Sequence, residues 1–143
     1  MVPQFEKHRF ARKSIGTDML QPVAQTEAAA REGWDPSHKD SQGVPYLRND
    51  PTSFLGTVQD QTIGARKPPL RMRYIDALTE AIKRRVLAGG GVGWLPQSAI
   101  VDELADGQLC VVGGPEWHAP LTLSLFCSLE RLDRTGLAVW ERL

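Results

Sequence analysis

Three consecutive glycines, Gly89-Gly90-Gly91, separate an amphipathic stretch from the short apolar run Val92–Leu95. Glycine tolerates left-handed backbone and loses the most freedom on ordering, so three in a row end a helix abruptly. Upstream, Leu78, Ala81, Ile82 and Val86 recur at the spacing of one helical face. Lys83, Arg84 and Arg85 crowd the carboxyl-terminal half of that stretch, where the helix dipole favours cations. Downstream, Val92–Leu95 reads as a short strand. A chain that must pass from helix to strand through one glycine turn is punctuated like a layered α/β fold.

The same punctuation recurs along the chain. Residues 5–25 read as extended, with Phe10, Ile15, Leu20 and Val23 as core candidates. Thr26–Gly43 is polar and reads as a solvated loop, with a short helical turn at Glu27–Glu32 the most it holds. Val44–Leu47 predicts a strand ended by Asn49 and Asp50, and Asp50-Pro51 predicts a helix start, carboxylate at the cap and proline in the first turn. Phe54, Leu55, Val58 and Thr62 mark that helix's apolar face, and Gly64 its stop. Leu70, Met72 and Tyr74 alternate with Arg71, Arg73 and Ile75, the pattern of a half-buried strand. Asp76 then opens the amphipathic helix. Pro96 opens a helix over 97–105 closed by Gly107, Leu109–Val112 is a strand, and Gly113-Gly114-Pro115 is a turn. Leu121–Cys127 is a further strand, and Asp133–Leu143 a last helix with Leu137 and Trp140 inward. This order predicts an α/β fold with a mixed sheet.

Several functions are excluded by what the chain lacks. Its 143 residues hold 17 basic and 17 acidic side chains, without the basic excess that wrapping nucleic acid requires. No apolar run approaches the roughly 20 residues of a membrane span, and Met1–Lys13 lacks the apolar block of a secretion signal, so a cytoplasmic location is expected. Cys110 and Cys127 read as small buried hydrophobes in a reducing compartment. A phosphate loop needs glycines between a strand and a following helix, but Gly89–Gly93 lies between a helix and a strand. His8, His38 and His118 share no paired spacing with either cysteine, so no metal site is expected. Ser53 lacks the surround of a hydrolase nucleophile, and adjacent Asp102 and Glu103 point apart on a helix. No catalytic constellation and no cofactor are expected, so the chain is not read as an enzyme.

Three segments together carry a resemblance. Leu78–Lys83 leads into Ala88-Gly89-Gly90-Gly91, then Trp94-Leu95-Pro96, then Leu104-Ala105-Asp106-Gly107-Gln108-Leu109. This is similar to the effector-binding (substrate-binding) domain of LysR-type transcriptional regulators, in which a helix ends in A-G-x-G, a strand in L-P and a helix in L-x-x-G-x-L. Val44–Asn49 and Ser53-Phe54-Leu55-Gly56 resemble the strand and helix at the family's ligand cleft. Trp94-Leu95-Pro96 and the Ser-Phe-Leu-Gly helix start look closest to a subgroup linked with hypochlorite response.

The resemblance, which covers about residues 5–143, implies a lobe of the periplasmic-binding-protein type II kind. Residues 1–117 would form the second lobe and 118–143 the segment returning to a first lobe that is incomplete. The winged helix-turn-helix would be absent, leaving DNA contact to a domain outside this chain. A small-molecule effector would sit in the crevice between lobes, touching Asn49, Thr52, Ser53 and Phe54, with Asp76 and Ala77 at the second strand-to-helix turn. Ser53 and the first helical N–H groups suit an anionic or polar ligand, and Phe54 a flat apolar wall; alternatively, Ser53 and Thr52 only cap the helix and Phe54 is core. Family dimers pack the region matching Leu70–Ala88 against another subunit's first lobe, so a homodimer or looser self-association is expected. Losing that lobe would leave Leu121–Cys127 an unpaired edge. Two other readings stay open: a stand-alone module that associates with intact regulators, and a sensor oxidised at Cys110, Cys127, Met19 or Met72.

Overall fold

The computed structural model describes residues 10–37, 43–66, 68–128 and 141–142. The chain forms two compact units, one of Met19–Pro120 and one of the flanking segments Met1–Asp18 and Leu121–Leu143. The larger unit is built on a mixed sheet. Its strands are the part of β1 (Phe10–Gln25) from Met19 on, β2 (Val44–Asn49), β3 (Leu70–Asp76), β4 (Val92–Pro96) and β5 (Leu109–Val111), in the spatial order β3-β2-β4-β1-β5. β2 runs parallel to both β3 and β4, whereas β1 runs antiparallel to β4 and β5. Parallel neighbours need a crossover, and the helices α2 (Phe54–Ile63) and α3 (Thr79–Leu87) supply it.

Burial follows from that arrangement. Val23, Leu47, Ile82, Val86, Leu95, Ile100 and Leu109 form the core, with Tyr74, Leu87, Ala99 and Leu104 packed against it. The stripe expected on α3 is half realised: Ile82 and Val86 are fully buried, while Leu78 is 67% exposed. Leu78 stands at the helix cap, one turn before the inward face begins. After α3 the glycine run does what its composition requires, with Gly89 at φ 81° and Gly91 at φ 150°. A Cβ on Gly91 would lie 2.4 Å from the Pro45 carbonyl oxygen, so the turn presses directly on β2. Trp94 lies on β4 and is fully buried.

Several expectations are corrected. Thr26–Glu32 is a full helix, α1, at the place of the short helical turn expected inside a loop. Gln25 caps it through its side-chain carbonyl, which accepts the Ala28 N–H at 2.8 Å, and Gly33 closes it at φ 67°. Its period was illegible because the buried face consists of Ala28 and Ala29. α2 begins at Phe54 with Ser53 as cap, not at Asp50-Pro51, and its buried residues are Gly56 and Gln59. Phe54, expected on the inner face, is 65% exposed. Asp76 ends β3 and does not open α3. The helix expected over 97–105 is a 3-10 turn at Gln97–Ala99 followed by α4 (Val101–Ala105). The break falls at Ile100, whose side chain is fully buried and whose backbone leaves the helical region at φ −133°.

Edge positions account for two more differences. Among the described residues β3 pairs with β2 alone, and Met72 and Ile75 are exposed on it, so there it is an edge strand rather than a half-buried one. Among the described residues β5 pairs with β1 alone, and Cys110 on it is a free thiol of intermediate exposure instead of a buried one. In the smaller unit, β6 (Ala119–Ser128) pairs with β1 and is not the unpartnered strand expected. The expected helix over Asp133–Leu143 falls, apart from 141–142, outside the described residues, as do His8 and His38 and the side chains of Phe10, Ile15 and Cys127.

Candidate ligand site

The carboxyl ends of β2 and β3 fall together because the strands are parallel and, past a register shift between Tyr46 and Leu47, set Asn49 opposite Asp76. The Asp50 N–H continues the ladder, donating to the Asp76 carbonyl at 2.9 Å. Each strand then turns into the start of a helix, α2 after Ser53 and α3 after Leu78. In open α/β sheets the space beyond the carboxyl ends of the strands is where ligands are commonly taken. The pairing gathers all six sequence-predicted positions, Asn49, Thr52, Ser53, Phe54, Asp76 and Ala77, at this one end.

Asn49 is 2% exposed and held from two sides. Its Nδ2 donates to Gln59 Oε1 at 2.7 Å and to the Trp94 carbonyl at 3.0 Å. Gln59 Oε1 also accepts the Asn49 backbone N–H at 3.3 Å, and Gln59 Nε2 donates to Tyr46 Oη. Tyr46 in turn meets Trp94 edge-on, ring centroids 5.7 Å apart at 73°, and the Trp94 indole N–H donates to the Trp117 carbonyl at 2.8 Å. Burial pushes the Tyr46 hydroxyl far above the ordinary phenol range, so it stays protonated. Sequence reasoning missed Gln59 and Tyr46. The available signal was the recurrence of Gly56, Gln59 and Ile63 at helical spacing, which marks Gln59 as inward.

The turn from β2 to α2 is closed by its own polar groups. Asp50 Oδ1 accepts the Thr52 N–H at 2.8 Å and the Thr52 hydroxyl at 2.7 Å. The Asp50 carbonyl accepts the Ser53 N–H at 2.9 Å and the Ser53 hydroxyl at 2.6 Å. Ser53 Oγ accepts the Gly56 N–H at 3.0 Å and so caps the helix. Gly56 is required: a Cβ there would lie 1.9 Å from the Asp50 carbonyl oxygen. Thr52 and Phe54 face solvent, and so does Ala77 at the other turn.

Asp76 is anchored likewise, accepting the Tyr74 hydroxyl on Oδ2 and the Leu78 N–H on Oδ1 at 2.9 Å. The Tyr74 hydroxyl, then the Leu78 amide, hold the Asp76 carboxyl below its usual range. The Thr52 hydroxyl and amide do the same for Asp50. Both are therefore ionised at neutral pH. Two nearby cations add a smaller pull, Arg48 on Asp50 and Arg85 on Asp76; an Arg48 guanidinium N–H also donates to Asp60 at 2.6 Å, and the Arg85 guanidinium lies 3.8 Å from the Tyr74 ring centroid.

A concavity of about 250 Å³ is lined by Gln25, Thr26, Glu27, Leu87, Asp106, Gly107 and Gln108, and includes none of the six positions. Among the described residues no group of His, Cys, Asp and Glu is arranged to hold a metal, and no helix is long and apolar enough to cross a membrane.

Comparison with known proteins agrees with this architecture. A family model described as the LysR substrate binding domain matches residues 1–143. The HTH domain-truncated transcriptional regulator QseD of Escherichia coli O157:H7 is 27% identical over 101 residues, 69% of this chain and 41% of QseD. The HTH-type transcriptional regulator YjiE of Escherichia coli strain K12 is 26% identical over 101 residues, 69% of this chain and 33% of YjiE. The chain thus spans less than half the length of these curated relatives. Among solved structures, the apo regulatory domain of HypT from Salmonella typhimurium superposes with a TM-score of 0.84 at 19% identity, covering 98% of this chain and 66% of that one.

Proposed function

The chain belongs to the LysR substrate-binding domain family, and from that premise we propose that it senses a small-molecule effector at the shared end of β2 and β3. The observation that carries this reading is the convergence of two strand-to-helix turns on one polar patch: Asn49, Thr52, Ser53 and Phe54 from one, Asp76 and Ala77 from the other. Phe54 supports it further. An aromatic ring 65% exposed beside polar groups is poorly explained by folding alone and suits the apolar wall of a ligand site. The effector is taken in the crevice of the regulatory domain, and its binding is relayed through the dimer to DNA, which a winged-helix domain contacts. Such relays typically involve a coupling free energy of about 1–3 kcal/mol. No step of this function is catalytic.

A thermal-shift screen of metabolites tests the reading. A ligand present at a hundred times its dissociation constant adds about 2.7 kcal/mol to stability, a readily measured rise in Tm. The rise is expected in the wild type and is expected to shrink in Phe54→Ala, whose ring is too exposed for its removal to unfold the chain. Hits that stabilise Phe54→Ala as fully as the wild type count against this site.

One observation favours a second reading, an oxidant-responsive sensor. The full-length relative of that solved regulatory domain is described as a hypochlorite-specific LysR-type transcriptional regulator, and in this chain Met72 is 54% exposed on β3. Mild hypochlorite followed by intact mass analysis distinguishes the two readings: oxidation confined to Met72 favours the sensor, and unmodified sulfurs end it.

A further inference from the structure

Trp94 holds two elements at once. Its backbone carbonyl accepts Asn49 Nδ2 at 3.0 Å, and its indole N–H donates to the Trp117 carbonyl at 2.8 Å. Trp94 is fully buried and Asn49 and Trp117 nearly so, which keeps both bonds out of water. The indole is braced as well, edge-on against the Tyr46 ring. One residue thus joins the end of β2 to the turn Pro115–Trp117, from which β6 departs. Shortly beyond, between Pro120 and Leu121, the chain passes out of the larger unit.

The segment held in this way carries an unmet polar group. His118 Nε2 is sealed from solvent and has no hydrogen-bond partner among the described residues. Burying such an atom costs free energy that contact with water recovers. The Trp117 and His118 N–H groups close only their own turn, donating to the Gly114 and Pro115 carbonyls. The Trp117 indole keeps a separate tie, donating to Ser37 Oγ at 2.7 Å, so losing the Trp94 bond frees the backbone here without expelling the ring. Two terms therefore oppose each other: the buried Trp94 bond holds the segment in, and the unpaired His118 nitrogen favours its release. An element balanced between two positions is what a coupled site needs.

Taking the shared end of β2 and β3 as the effector site, we propose that Trp94 is a latch between that site and the segment Trp117–Ala119. With both Trp94 bonds made, His118 stays sealed. A ligand that draws the Asn49 amide away from the Trp94 carbonyl loosens the latch, and His118 then reaches water. Trp94 and His118 act here as positioning residues, through Asn49 and the Trp117 backbone, and neither needs to touch the ligand.

The test uses the whole 143-residue chain, nitrogen-15 labelled, with hydrogen exchange followed at the Trp94 indole N–H and the Trp117 and His118 amides. Asn49→Ala is expected to speed exchange at all three about tenfold, while the Ile82 and Val86 amides of α3 change less than about twofold. His118→Leu, which removes the unpaired nitrogen, is expected to slow the same three about fivefold. Opposite signs in the two variants exclude a general loosening of the fold. If Asn49→Ala fails to fold, Asn49→Ser, whose shorter side chain keeps a polar atom in the network, gives the same readout. Exchange altered only at residues 49–59 in the Asn49 variant overturns the coupling. Unchanged or faster exchange in His118→Leu overturns the latch. No ligand enters the measurement, so either failure leaves the effector site standing. A screening hit whose amide changes avoid residues 49–54 instead overturns the site and, with it, the ligand's hold on Trp94.

Discussion

Gln59 has no exposed surface, yet both ends of its side chain are satisfied, by Asn49 on one side and Tyr46 on the other. Removing one member of such a buried network leaves the others unpaired, each at a cost of about 1–3 kcal/mol. Gln59→Leu is therefore expected to lower unfolding stability by about 2–4 kcal/mol in urea titration, because Asn49 and the Tyr46 hydroxyl both lose their partner. A loss under half a kcal/mol would show that the network does not hold α2 to the sheet. Asp50 and Asp76 make a separate prediction at this scale. Their carboxyls titrate lower in the folded chain than unfolded, where the ordinary value is about 3.9. The stability they contribute is complete above that value and is lost as pH falls through the lower, folded values. Urea midpoints measured between pH 5 and pH 3 should fall more steeply for the wild type than for Asp76→Asn, and parallel profiles would contradict the anchoring by Tyr74.

Elements were legible in the sequence wherever one signal dominated. The glycine run located the end of α3 and the start of β4, and the Asn49-Asp50 pair located the end of β2. What was not legible depends on small or polar residues facing inward. α1 buries two alanines, and α2 buries a glycine and a glutamine, so neither shows an apolar stripe. The start of α2 was misplaced by three residues because Asp50-Pro51 carries the composition of a helix cap but is used as a turn. Of the candidate site, its location at two strand ends came from the resemblance, whereas the clamp behind Asn49 required the fold. Gly56 is where the element and the site meet. Gly56→Ala is expected to force the Asp50–Ser53 turn away from α2 and to cost about 1–3 kcal/mol, as overpacking typically does. Urea denaturation together with the amide shifts of residues 50–53 checks it, and an unshifted turn at wild-type stability would contradict the contact.

At the scale of the whole molecule, the larger unit has a sheet with one distinctly sticky edge. β3 carries exposed Met72 and Ile75, and exposed Leu78 follows it in the chain. Unpaired strand edges with apolar side chains template association. Sedimentation velocity is expected to show concentration-dependent self-association that Met72→Lys reduces; a monodisperse monomer at high concentration would contradict this. A sensing role, however, depends on where a ligand is taken. Its most direct test is to map the tightest hit from a metabolite screen onto the labelled chain by amide shift changes. Changes are predicted to centre on residues 49–54 and 76–78. Changes centred instead on the concavity lined by Gln25, Thr26 and Gln108, with the ends of β2 and β3 unmoved, would contradict it.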